Sequence, residues 1–215
     1  MSFDSEILLV AGRSLYVSGL ATVLASAVGV PAGTVLGLRD FHGRRFLRSF
    51  LHALYGVPPV LLGLCLYLLL SKTGPLGGFG WLFTIEGMIL AQFLLVLPFV
   101  TGLTMNAIQE LDAALKDTAR TLGARRGSYV RILVREARSG VLSAVMVGFG
   151  RAISEVGAVI MVGGNIRHET EVLTTAIVKE TSRGNFTAAT GLGLFLLGTS
   201  ALVFLALTVL QERTE

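Results

Sequence analysis

Asp112-Ala-Ala-Leu-Lys-Asp117-Thr-Ala-Arg-Thr-Leu-Gly123-Ala-Arg-Arg-Gly127-Ser-Tyr-Val-Arg131-Ile-Leu-Val-Arg135-Glu-Ala-Arg138-Ser-Gly140 is the longest polar interval in a chain that is otherwise mostly apolar. The chain has 215 residues, 53% hydrophobic and only 15% charged, with a mean hydropathy of +0.72. A soluble domain carries about 25% charged residues. The shortfall, together with apolar runs of about 20 residues, makes this an integral membrane protein. The runs lack period-2 alternation, so they are helices rather than barrel strands. The fold class is therefore all-α with about five transmembrane helices. The quoted interval must lie outside the hydrocarbon.

Working outward from it, the spans fall at about 15–38, 50–71, 83–108, 141–162 and 187–210, with a polar loop at 109–140. All belong to a single transmembrane domain. Pro58-Pro59 inside the second run must bend or break that helix, and such breaks occur where backbone is shielded by protein or lines a cavity. Gly is abundant, at 26 residues, and small residues let membrane helices approach closely. The single Cys65 excludes an intramolecular disulfide and reads as a small core residue. Asp4 and Glu6 precede the first apolar run with no early Lys or Arg. The first run therefore reads as a retained span rather than a cleaved signal.

Charge orients the chain. Arg39, Arg44, Arg45 and Arg48 fall in the first inter-span loop. Lys116, Arg120, Arg125, Arg126, Arg131, Arg135 and Arg138 fall in the 109–140 loop. Together they are eleven of the 18 basic residues. By the positive-inside rule both loops are cytoplasmic, which puts the N-terminus outside and the C-terminus inside. The net charge of +4 reflects these loops and gives no reason to expect nucleic acid. The three His are scattered, so no metal site is expected, and nothing resembles a nucleophile–base pair.

The central interval reads as helix–turn–helix. Leu111, Leu115, Ala119 and Leu122 share one face at helical spacing. Gly123 and Gly127 interrupt the pattern. Val130, Leu133, Val134 and Ala137 restart it, with Arg131, Arg135 and Arg138 on another face, as in an interfacial helix. Periodicity alone favours an ordinary amphipathic connector over a docking element for a cytoplasmic partner.

Asp117-Thr-Ala-Arg-Thr-Leu-Gly123, followed after nine residues by Leu133, resembles the "EAA" loop of permease subunits of ABC importers. Asp117-Thr118 stands for the usual Glu-Ala, and Arg135-Glu136 for Leu-Pro. Val57-Pro-Pro-Val-Leu-Leu-Gly-Leu and Gly150-Arg-Ala-Ile-Ser-Glu155-Val-Gly-Ala-Val-Ile-Met-Val-Gly-Gly-Asn165 are similar to the molybdate, tungstate and sulfate permeases. The Val-Gly-Gly-Asn-Ile run is most similar to the tungstate branch. The resemblance covers about residues 12–212 and implies a type I ABC importer permease fold. It makes Leu115, Asp117, Thr118, Ala119, Arg120, Thr121, Leu122, Gly123 and Ala124 the coupling helix, seated in a groove of an ATP-binding subunit. It also implies a second copy of the chain, two ATP-binding cassette subunits and an extracytoplasmic oxyanion-binding protein. Membrane lipid is the surrounding solvent. Hydrolysis belongs to the ATP-binding partner; this chain has no Gly-x-x-x-x-Gly-Lys-Ser/Thr loop and needs no cofactor. The alternatives are an autonomous anion channel or secondary transporter, a sulfate- or molybdate-specific ABC permease, and a membrane-embedded scaffold.

Arg151 and Glu155 lie at i and i+4 in the fourth run, on one helical face. Charges at mid-span are costly, so they face the interior and pair. They either fix packing or border the translocation route, together with Pro58, Pro59, Ser154 and Gly157. Asn165 after Gly163-Gly164 is either a helix C-cap or a contact for the binding protein. Arg167, Lys179 and Arg183 lie in a mixed-charge outer loop, which is either a solvated face or part of the same docking surface.

Overall fold

The computed structural model of the protein describes residues 3–39, 42–112 and 126–212. Nine α-helices lie among them: α1 (Phe3–Leu38), α2 (Arg44–Tyr55), α3 (Pro59–Leu70), α4 (Ile85–Glu110), α5 (Arg126–Glu136), α6 (Arg138–Ile153), α7 (Gly157–Gly163), α8 (Leu173–Ser182) and α9 (Phe186–Glu212). Three stretches are each long and apolar enough to cross a membrane: Glu6–Leu38, Ile85–Glu110 and Phe186–Val209. The α2–α3 pair is bent by 94° and the α6–α7 pair by 58°; counting each as one broken crossing gives five.

Helix α4 is the centre of the bundle. Its residues Met88, Ala91, Val96, Val100, Thr104 and Ile108 are fully buried. Helix α1 runs parallel to it along a Gly29-x-x-x-Gly33-x-x-x-Gly37 stripe that faces Val100, Thr101, Thr104, Met105 and Ile108. A Cβ on Gly33 would stand 2.3 Å from the Thr101 carbonyl oxygen. With no side chain between them, the two backbones gain dispersion contact that lipid tails cannot supply. Four hydroxyls on this pair are satisfied locally: Ser14, Thr22, Thr34 and Thr101 each donate to the carbonyl four residues back. Gly33→Leu is expected to push α1 off α4 and lower stability by about 1–3 kcal/mol or more. Thermal unfolding in detergent checks this against Gly19→Leu, whose Cβ meets nothing within 4 Å.

Helix α6 packs antiparallel to α4, with Gly148 against Val96 and Val100, and Gly140 against Ala107. Helices α3 and α7 run side by side in the same direction, Val60 beside Gly157 and Gly63 beside Ala158 and Met161. Helix α9 is packed mainly near its start, where Leu192, Phe195 and Leu196 meet Val10, Leu173 and Ala176; in its most apolar 18 residues only 6% is buried. It touches α6 through Phe204 on Phe149, at 6.0 Å between ring centroids. The bundle thus has a basic end, with Arg44, Arg138 and the close of α9, where Gln211 donates to Ser139 at 2.6 Å. At the opposite end Arg167 pairs with Glu6. Helix α1 begins at this end, beside Glu6, and α9 closes at the basic one.

Four expectations are corrected. The second run starts not at about 50 but at Arg44, where α2 opens; the break expected at Pro58-Pro59 is present, with Gly56-Val57-Pro58 between α2 and α3. Proline at the N1 position of α3 lacks the N–H that would continue the helix. The fourth run breaks after Ile153, so Arg151 and Glu155 do not share a helix. Gly127 does not interrupt a helix but sits in the first turn of α5. Cys65 is exposed, because the buried residues of α3 are Gly63, Leu66 and Leu70, and Cys65 lies on another face.

Candidate functional site

Two helix breaks meet in the bundle. Pro58 caps α3 in extended conformation, with φ −61° and ψ 124°, and Pro59 opens it. Gly157 opens α7 directly against α3, where a Cβ would stand 2.5 Å from Val60 Cγ2. Glycine is required here because the two half-helices start at the same level and touch.

The α6–α7 break frees carbonyls at the end of one helix and N–H groups at the start of the next. In a membrane each needs a partner from the protein. The Ser154 N–H and hydroxyl both donate to the Gly150 carbonyl, at 3.3 and 2.8 Å. The Glu155 N–H donates to the Ala152 carbonyl at 3.1 Å, and so does Gln92 Nε2 from α4, at 3.1 Å. Glu155 Oε1 accepts from the Ala158 N–H at 3.0 Å, capping α7. Thr174 of α8 donates to the Glu155 carbonyl at 2.8 Å. The break is thus a built feature. Arg151 Nη1 stands 3.9 Å from Glu155 Oε2; the arginine side chain is 34% exposed and the glutamate 3%. The glutamate is engaged inward as a cap, while the arginine stays open on the exposed side next to Ser154.

Of the predicted pathway residues, the structure sets Gly157 against Val60, the residue after Pro58-Pro59, and gathers Arg151, Ser154 and Glu155 at the α6–α7 break. Sequence reasoning missed Gln92 and Thr174. A glutamine inside a hydrophobic run was the available signal, since polar groups there need a partner.

At the end opposite the basic one, Gly164 and Asn165 are both left-handed, with φ 71° and 50°. Asn165 Nδ2 reaches the Thr175 carbonyl at 3.5 Å. Arg167 makes a two-pronged bond to Glu6, at 2.8 and 3.0 Å, and that carboxylate holds the guanidinium above its ordinary pKa. Lys179 pairs with Glu171, and Arg183 with Glu180 at 3.1 Å. These groups rim a cavity of about 210 Å³ floored by Val10 and Leu192. Arg13, also missed, ties the loop to α1 by donating to the carbonyls of Glu171 and His168, both at 2.7 Å. The interval 163–186, read from sequence only as polar, contains α8, whose Leu173–Ala176 turn is buried.

The expected coupling residues Leu115–Ala124 lie outside the described residues. Their tethers are visible: α4 ends at Glu110 and α5 starts at Arg126. Arg135-Glu136 closes α5, and only Ala137 separates it from α6. Hydrogen bonding runs on through this joint, from Ala137 N–H to the Leu133 carbonyl and from Val141 N–H to the Ala137 carbonyl, each 2.9 Å.

The model of the family described as "binding-protein-dependent transport system inner membrane component" matches residues 29–215. Among curated proteins, the chain is similar to a probable anion ABC transporter permease of Haloferax volcanii, 42% identical over 86% of this chain and 82% of that protein. It is similar to the tungstate uptake system permease TupB of Peptoclostridium acidaminophilum, 38% identical over 99% of this chain and 93% of that protein. TupB of Campylobacter jejuni is 36% identical, over 90% and 81%. In fold it resembles a chain of the methionine ABC transporter MetNI in an inward-facing conformation, with a TM-score of 0.82, 17% identity and complete coverage of both chains. These matches, together with the broken crossings and three long apolar helices, mean that the chain belongs to the binding-protein-dependent transport system inner membrane components, the multi-pass membrane permeases of ABC importers.

Proposed function

We propose that this permease carries tungstate, or a similar tetrahedral oxyanion such as molybdate, across the cytoplasmic membrane as a homodimer driven by two ATP-binding subunits. The observation that carries the substrate is the 38% identity to a tungstate uptake permease over 99% of the chain. In this reading the N-terminus is outside and the C-terminus inside. The basic end faces the cytoplasm, where loop 109–140 docks on the ATPase. The opposite end, with Asn165, Arg167, Lys179 and Arg183, receives the extracytoplasmic binding protein.

The route passes the paired breaks. Val60 and Leu61, in the first turn of α3, have N–H groups without helical acceptors, and both residues are exposed, at 57% and 51%. Arg151 and the Ser154 hydroxyl lie on the exposed side of the neighbouring break. They offer an oxyanion transient donors, and Glu155 nearby keeps any one stop weak, as conduction requires. Closure of the ATPases displaces loop 109–140. That levers α4 and α6, which are tethered to its two sides and joined to each other through Gln92 at the break.

The test is uptake by the complex of permease, ATPase and binding protein in vesicles, with tungstate, molybdate and sulfate in competition. ATP-dependent tungstate uptake that excess sulfate does not suppress is expected. Anion movement by the purified chain without ATP or partners would sink the importer reading.

A further inference from the structure

Helix α2 is the part of the molecule that neither the route nor the docking loop uses. At 100° per residue its sequence divides into two arcs. Arg44, Arg45, Arg48, Ser49, His52 and Tyr55 occupy one; Phe46, Leu47, Phe50, Leu51, Ala53 and Leu54 occupy the other. Only one edge of this helix meets the protein. Leu51 is buried, Arg44 Nη2 donates to the Gly37 carbonyl of α1 at 3.1 Å, and Tyr55 stacks on Phe99 of α4 at 4.5 Å. The Tyr55 hydroxyl fills the space left by Gly102, where a Cβ would stand 2.0 Å from it. Both ends of α2 are therefore fixed, and it crosses α3 at 94°.

The remaining surface is two-natured. Phe46 and Phe50 are 76% and 51% exposed and stack on each other at 6.4 Å. Arg45, Arg48 and His52 are exposed on the other side. An exposed aromatic pair beside a row of cations suits the boundary where acyl chains meet phosphate headgroups. Water would strand the phenylalanines, and the hydrocarbon would strand the arginines.

We propose that α2 is an anionic-lipid-binding helix: Arg45, Arg48 and His52 hold phosphate-bearing headgroups, and Phe46 and Phe50 lie among the acyl chains. The leaflet concerned is the cytoplasmic one, a point that rests on the orientation proposed above. Helix α2 leads through Gly56-Val57 into Pro58-Pro59 and the α3–α7 contact, so headgroup binding reaches the route through covalent connection.

The test uses the full chain in phosphatidylcholine vesicles with and without phosphatidylglycerol. Cys65 is the single cysteine, so Cys65→Ser followed by Phe46→Cys, Phe50→Cys, Arg45→Cys or Arg48→Cys gives one spin label each. Labels at 46 and 50 are expected to be relaxed by oxygen, and labels at 45 and 48 by a water-soluble nickel complex. Native mass spectrometry is expected to show phosphatidylglycerol retained over phosphatidylcholine. That preference should fall about fivefold for each of Arg45→Gln and Arg48→Gln, and Arg45→Lys with Arg48→Lys should keep it. Labels at 46 and 50 shielded from both reagents would mean that a second copy covers this face, which overturns the proposal. So would an unchanged lipid preference in the Gln variants, or a Gln variant that loses tungstate uptake in pure phosphatidylcholine yet keeps its lipid preference. Label depth and lipid retention do not depend on transport or on which leaflet is involved, so they stand or fall apart from the importer reading.

Discussion

Replacing Gly123 with Trp is expected to abolish ATP-driven oxyanion uptake and to leave the bundle folded. The expectation rests on Asp117-Thr-Ala-Arg-Thr-Leu-Gly123 and its resemblance to the coupling loop. A helix of small residues closed by glycine can seat deeply in a cleft, and an indole at the glycine keeps it out. Overpacking of that kind costs about 1–3 kcal/mol, or roughly a 10- to 100-fold loss of docking. On the coupling role proposed above, transport should suffer more than docking, because the segment joins α4, which ends at Glu110, to α5, which passes into α6 across the single residue Ala137. Gly127→Trp is the control. That position is exposed in the first turn of α5, with nothing within 4 Å of its Cβ, and it should retain most uptake. Co-purification of the ATPase and ATP-driven uptake are the two readouts. A Gly123→Trp permease that docks and transports normally would remove the coupling assignment.

The crossings were legible because apolar run length is a local property, and so was the break at Pro58-Pro59, which proline chemistry dictates at the residue itself. Arg44–Tyr55 was split for a physical reason: Phe50, Leu51 and Leu54 merge with the apolar run of α3 in a window of span length, while Phe46 and Leu47 are lost among the arginines of the loop before it. Only their separation from the arginines around the helix shows that they belong to a different element. The α6–α7 break was illegible for the opposite reason. Ser154 and Glu155 would be tolerated in a helix, and what stabilises the break is Gln92, 60 residues away, and Thr174. Sequence spacing placed Arg151 and Glu155 together but gave their relation wrongly, as two charges on one face. In the structure the glutamate is a helix cap that also meets an arginine.

That dual role makes substitutions at the pair unequal. Arg151→Met should be the more damaging, because it leaves a carboxylate that is 3% exposed with the Ala158 N–H as its remaining described donor. Stranding a buried charge in this way costs about 3–5 kcal/mol. Glu155→Gln keeps an oxygen for the Ala158 N–H and frees only Arg151, whose side chain is 34% exposed and can be solvated. The exposed member of a pair contributes at most about 1 kcal/mol, so this variant should unfold close to the parent temperature. Arg151→Met combined with Glu155→Gln should recover most of the stability lost by Arg151→Met alone, since no buried charge remains. Transport should rank differently from stability. With the carboxylate neutral, Arg151 becomes an unopposed cation beside the proposed route. Glu155→Gln should then hold oxyanion longer, giving a lower KM and a lower kcat in vesicle uptake, because a site that binds too well releases slowly. Unchanged KM and kcat in Glu155→Gln, alongside the predicted stability pattern, would make the pair purely a packing device and move the route away from the α6–α7 break.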